Sequence, residues 1–158
     1  MAQKKKIRIK PKSILNRKAS FDYALDEDLV VGIALTGPET RAARDGHIQL
    51  KGSFVSIREG ELWLNNSSFS IKLNEKNQVG ARSIDTSPRK LLAKRKQIDD
   101  LAARKQSGMS IVPLKLLTGG RYIKVVIALG KGKKNYDKRE TLKRRDQERD
   151  ANRAIKNI

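Results

Sequence analysis

The chain has 158 residues, enough for one domain and cramped for two. Its 36 Lys+Arg against 17 Asp+Glu give a formal net charge of +19, a surplus that concentrates polyanions and leaves nucleic acid and anionic membrane as candidate partners. The lack of cysteine excludes disulfides, thiolate metal sites and a cysteine nucleophile, and a single histidine, His47, argues against a histidine metal cluster or a Ser-His-Asp triad.

The opening MAQKKKIRIKPK is charged, and no apolar segment follows it. Neither a secretory signal nor a spanning helix, which takes ~20 apolar residues, is expected, and cytosolic residence follows. Residues 1–18 hold eight basic residues and no acidic one. Isolated Ile7, Ile9, Ile14 and Leu15 cannot offset the entropy of ordering this arm, so residues 1–14 are expected to be flexible.

Residues 25–35 read as a strand. Leu29, Val30, Val31, Ile33, Ala34 and Leu35 form a run rich in β-branched side chains, and Gly32 inside it suggests a bulge or barrel bend. A short helix follows, with Thr36 or Gly37 as cap, Pro38 at its first position and Gly46 ending it. Residues 48–72 have the pattern of a β-meander. Val55 and Ile57 alternate with polar neighbours, Glu59-Gly60 turns the chain, Glu61 to Leu64 returns it, and Phe69 with Ile71 fit a third strand. The stretch 74–87 is polar and loop-like. Ser87 and Pro88 then suit the start of a helix reaching residue 105, with Leu91, Leu92, Ile98, Leu101 and Ala102 as its apolar stripe. Two strands follow, 109–117 and 121–129, joined by Thr118-Gly119-Gly120, and Gly130 closes the domain.

Short antiparallel strands with connecting helices predict a mainly-β domain over 15–130: an OB-fold-like, six-stranded antiparallel barrel with two to three helices. The fold by itself does not establish a function. Residues 131–158 form a basic tail, eleven basic against five acidic, that is disordered or helical. Asp137 with Glu140 gives a capping-box-like start, and Glu140 with Arg144 a favourable i,i+4 pair. Such a helix is marginal alone in water, so folding on a partner is expected.

The tail segment KGKKNYDKR at 131–139 carries the most chemistry. Lys131, Lys133, Lys134, Lys138 and Arg139 can neutralise phosphates, Gly132 lets backbone approach one, and Tyr136 offers a stacking ring. A basic tail that only aids solubility is the alternative. A membrane-bound helix is less suited, for want of an aromatic or leucine face. In the short helix, Glu39 either complements the helix dipole or contacts RNA directly. No phosphate-cradling GxxxxGK[ST], paired carboxylates or zinc spacing occurs, so no catalytic residue, metal or cofactor is expected. A nuclease would need clustered carboxylates or histidines.

Five blocks in consistent order carry a family resemblance: LNRKASFDY at 15–23, GIALTGPETRAARDG at 32–46, DTSPRKLLA at 85–93, VPLKLL at 112–117 and KGKKNYDKRETLKRRD at 131–146. Together they resemble the SmpB family, the SsrA-binding proteins of bacteria. The resemblance implies an OB-fold barrel that binds the tRNA-like domain of transfer-messenger RNA and escorts it to ribosomes stalled without a stop codon. It implies a tail that enters the empty decoding centre and mRNA channel and folds there as a helix. By resemblance, Asn16 and Glu39 match positions linked to RNA binding, and Arg17, Lys18, Arg41, Arg44 and Lys90 match basic positions near that surface. Leu91 matches the RKLL core. Lys131, Gly132, Lys133, Lys134, Asp137, Lys138 and Arg139 match the tail motif used on the ribosome, with Tyr136 placed to stack on a base. A monomer is expected, with a generic OB-type RNA-binding or ribosome-associated protein as the alternative reading.

Overall fold

The computed structural model describes residues 13–72 and 81–156. In chain order the elements are β1 (Ser13–Leu15), α1 (Arg17–Asp22), β2 (Tyr23–Ile33), α2 (Gly37–Arg44), β3 (Ile48–Gln49), β4 (Phe54–Arg58), β5 (Glu61–Asn65) and β6 (Ser68–Lys72). There follow β7 (Arg82–Asp85), β8 (Arg89–Leu92), α3 (Arg95–Arg104), β9 (Met109–Leu117), β10 (Lys124–Gly132) and α4 (Asn135–Lys156). The first twelve residues of the arm expected to be flexible lie outside the described residues, as do residues 74–80 of the expected polar loop and the last two residues of the expected tail.

Six strands pair antiparallel in the order β9-β10-β2-β8-β5-β4, and Val55 on β4 pairs with Ile111 on β9 to close the circuit. The result is a closed six-stranded barrel, with β1 pairing along the last residues of β9, on the edge that β4 meets earlier in that strand. Closure removes the unpaired edges that an open sheet would present. Side chains alternate inward along each strand, so Val31, Ile33, Val55, Leu62, Leu64, Leu91, Ile111, Leu116, Val125, Ile127 and Leu129 form one buried core. Helix α3 adds Ile98 and Leu101 to that core, α2 adds Ala43, and β6 adds Phe69.

The expected architecture stands, but one of the six barrel strands is not the one the sequence pattern suggested. Phe69 and Ile71 do form a strand, β6, yet it leaves the meander. It joins β3 and β7 in a separate three-stranded sheet against α2. Its place in the barrel is taken by β8, inside the segment expected to begin a long helix. Ser87 does not cap a helix. Its amide and hydroxyl donate to Asp85 Oδ1, at 2.8 and 2.6 Å, in a turn that feeds β8. The helix starts only at Arg95, where the Gln97 side chain accepts from the Lys94 amide. Within 74–87, residues 82–85 are strand β7 rather than loop. Helix α1 is a further element that the sequence pattern did not suggest.

Gly32 is not at a bulge. It pairs regularly with Lys124 and Leu92. The irregularity in β2 lies at Asp26–Glu27, where three steps of β2 oppose two of β10 between Ala128 and Gly130. Gly130 is required there by close approach, because a Cβ on it would meet Tyr23 Cβ at 2.9 Å. The strand β10 continues past Gly130 to Gly132, which pairs with Tyr23.

Candidate functional site

Asn16 has little to offer a ligand directly. It is 6 % exposed, and its amide donates to the carbonyls of Leu50 (3.0 Å) and Pro113 (2.9 Å). Its Oδ1 accepts from Ala19 N, capping α1. One side chain thus ties the start of α1 to the segment after β3 and to β9. Arg17 and Lys18, next along α1, are exposed and share a groove with Gln49, Leu50 and Lys51.

Glu39 is likewise built in. It stands at the third position of α2, and its Oε2 accepts from the Thr36 amide (2.7 Å) and hydroxyl (3.0 Å), which fixes the helix start. Its Oε1 accepts from Arg89 Nε at 2.8 Å, an ion pair whose side chains are 9 % and 3 % exposed. Arg89 also donates to the carbonyls of Ser67 and Ser87, pairs with Asp85 at 3.2 Å, and lies 3.7 Å from the centroid of the Phe69 ring. Burying two charges is costly unless the partners are complete, and here they are complete. Asp85 is held below the ordinary carboxylate value, first by its hydrogen bonds from Ser87, with the Arg89 charge adding to them. The network welds α2 to β7, β8 and the small sheet, and so sets where the cations of α2 point.

The sequence motif gave no reason to single out Arg89. Once 89–92 is a strand, alternation turns Arg89 and Leu91 inward and Lys90 and Leu92 outward. Leu91 is 2 % exposed and belongs to the barrel core, so it supports the surface without meeting a partner there.

The exposed cations fall into separate groups. On α2, Arg41 lines a cleft with Lys72 of β6 and Arg82 of β7, while Arg44 donates to the Arg121 carbonyl (3.2 Å) in the β9–β10 turn. Lys90 lies on the outer barrel wall, beside Trp63 in register and ion-paired with Glu61. Its groove includes Val30, Leu92 and Arg95. Leu92 and Val30 are 54 % and 48 % exposed there. His47 is an exposed turn residue, and Trp63 is half-buried on the barrel wall. Among the described residues no group of His, Cys, Asp and Glu could hold a metal, and no helix is long and apolar enough to cross a membrane.

The tail motif divides in two. Lys131 and Gly132 are the last residues of β10, paired with Ala24 and Tyr23. Lys133 and Lys134 lead into α4, which begins at Asn135, ahead of Asp137. Asp137 caps it by accepting from Lys134 N. Its base is fastened to α1: Lys133 N donates to Asp22 O (2.8 Å), Lys133 Nζ to Ser20 O (3.2 Å), and Lys138 pairs with Asp22 at 3.0 Å. Arg145 lies over the Phe21 ring at 5.9 Å. Lys131, Gly132, Lys134, Tyr136 and Arg139 are exposed, and Asp137 and Lys138 half-buried. From Leu142 to Ile155 α4 is exposed. Its ion pairs there are Asp146–Arg149 and Asp150–Arg153 rather than Glu140–Arg144, because exposed pairs of long side chains gain little from any one geometry.

The geometry is therefore a rigid barrel with scattered cations on its wall and one projecting basic helix gripped only at its root. A family model described as SmpB protein matches residues 13–157. The SsrA-binding protein of Shouchella clausii is 46 % identical over 142 residues, 89 % of this chain and 89 % of its own length. That of Bacillus subtilis is 44 % identical over 142 residues, again 89 % of each chain. Among solved structures, a chain from "tmRNA-SmpB: a journey to the center of the bacterial ribosome" matches with a TM-score of 0.60 and 36 % identity, over 78 % of this chain and 85 % of that one.

Proposed function

This chain belongs to the SmpB family, and on that premise we propose that it binds the tRNA-like domain of transfer-messenger RNA and delivers it to stalled ribosomes for trans-translation. The observation that carries this reading is that the family match runs unbroken from the barrel through α4, covering both working parts. The barrel, residues 15–130, holds the RNA. The tail, 131–158, probes the empty decoding centre and mRNA channel.

In this division Arg17, Lys18, Arg41, Arg44 and Lys90 meet RNA phosphates or bases. Asn16, Glu39 and Leu91 act through them, since their own polar groups or surfaces are engaged inside the protein. Lys131, Gly132, Lys133, Lys134, Lys138 and Arg139 carry the tail's contacts to ribosomal RNA. Asp137 holds the helix start, and Tyr136, 62 % exposed, is free to stack on a decoding-centre base. The channel is read sterically: a messenger strand already in it competes with α4. The protein works as a monomer, without covalent chemistry, metal or cofactor, at the ribosome in the cytoplasm.

Capture of the intact chain from a bacterial lysate, with sequencing of the bound RNA, tests this reading. Recovery of one dominant tRNA-like species together with small-subunit ribosomal RNA is expected. Indiscriminate recovery would replace it with generic RNA binding. A chain truncated after Gly132 is expected to retain that RNA species and to lose tagging of stalled products. Tagging that survives the truncation refutes the division of labour.

A further inference from the structure

Arg41 is one of three cations around a single cleft of about 290 Å³ between α2 and the β6–β7 pair. The others, Lys72 and Arg82, lie outside every motif block noted in the sequence. They are directly opposite each other across the antiparallel ladder. Side chains so placed have Cβ atoms ~5 Å apart, and like charges there repel. All three cations are exposed, and none makes an ion pair among the described residues. Among the described residues Asp45 is the sole carboxylate lining the cleft, against three cations. Its wall is fixed from behind: α2 is held by the buried Glu39–Arg89 pair, and β6 is anchored by the fully buried Phe69. A preorganised cationic hollow whose resting state contains an unrelieved repulsion suits a multiply anionic ligand.

We infer that this cleft is a phosphate-backbone site, in which Lys72 and Arg82 join Arg41 in gripping the RNA carried by the barrel. The inference rests on the RNA-binding reading above and deepens it. The site takes sugar–phosphate and not bases, because three flexible cations without an aromatic platform supply charge and no edge-specific readout. It therefore contributes to affinity and register on any RNA strand that reaches it, with little sequence preference.

The test uses the full chain, an RNA corresponding to the tRNA-like domain, and an unrelated duplex of equal length. Affinity is measured by fluorescence anisotropy across a salt series. The Lys72→Met, Arg82→Gln double variant is expected to bind the tRNA-like RNA roughly 3- to 10-fold more weakly, with the slope of log K against log salt reduced by about 1 to 2. Arg82→Glu gives an opposed pair of readouts. It places a carboxylate across from Lys72, so the melting temperature holds or rises, while RNA affinity falls by about tenfold or more. Unchanged affinity and slope in both variants would overturn the site. So would an affinity loss accompanied by a lower melting temperature in both, which would assign these residues to packing. If the wild-type chain fails to prefer the tRNA-like RNA over the duplex, the functional reading fails. The slope change on the duplex then still decides the cleft.

Discussion

Replacing Arg89 by alanine probes the feature on which the placement of α2 most depends. The substitution removes the 2.8 Å ion pair to Glu39, the donations to Ser67 O and Ser87 O, the pair with Asp85, and the ring contact with Phe69. It leaves the Glu39 carboxylate, 9 % exposed, facing a cavity with only the Thr36 amide and hydroxyl to satisfy it. Removing one partner of such a pair costs about 3–5 kcal/mol, a large share of a domain stability of ~5–15 kcal/mol. Trp63, the only tryptophan, sits on β5 in register with Lys90 of β8, so its fluorescence in a urea titration reports the strands in question. The double variant Glu39→Leu, Arg89→Met removes both charges together. It is expected to be less damaged than the single change, and the cycle should show a coupling of about 2–3 kcal/mol. A cost below about 1 kcal/mol for Arg89→Ala, or additive single changes, would refute the network as a structural weld.

Gly130→Ala is expected to cost about 1–3 kcal/mol by urea titration, because the new Cβ meets Tyr23 at 2.9 Å, whereas Gly132→Ala, with open space around it, stays within about 0.5 kcal/mol of the native chain. Asp26 is held below its ordinary value of 3.8 by its hydrogen bond from Arg104, then by the Glu27 amide. A depressed carboxylate contributes stability above 3.8 that is lost as pH falls through the lower folded value, so Asp26→Asn should flatten the acid limb below that pH. Equal acid sensitivity of the two proteins would dismiss the contact. Asp22→Asn breaks a partly exposed pair with Lys138 and should cost under about 1 kcal/mol in the barrel. Amide exchange should nonetheless accelerate several-fold in residues 135–145 and stay unchanged in β9 and β10. Acceleration in both would mean that the α1–α4 joint supports the whole fold.

Local information was enough for the parts of this chain whose structure is made locally. The alternation over 121–129, the Thr36-to-Gly46 capping signals and the Glu59-Gly60 turn gave β10, α2 and the β4–β5 hairpin. The barrel class followed from them, while β10 runs on to Gly132, two residues past the expected end of the barrel. The ordered motif blocks then identified the family before any geometry was known. What the pattern could not yield is pairing. The run RKLL has the same apolar spacing on one turn of a helix as on a short strand. Only the hydrogen bonds offered by β2 on one side and β5 on the other make it β8. By the same rule β6 finds β3 and β7 instead of β5.

The candidate site divides along that line. The sequence singled out Asn16, Glu39 and Lys90 by their motif positions, and the proposed function keeps them. That the first two are bound inside the protein, while Lys90 stands on the outer wall, was decided by tertiary contacts 34 to 97 residues apart. Arg89 lay inside a motif block with nothing to mark it as a buried ion-pair partner, and Lys72 and Arg82 lay outside every block, since a buried partner fifty residues away or a cation across a ladder is invisible in a linear pattern. Charge and periodicity are properties of the chain, and the sequence alone determined the basic arms and the barrel class. Burial and partnership are properties of the packed fold, and only the tertiary structure could say which of the charges were buried in pairs and which were left exposed.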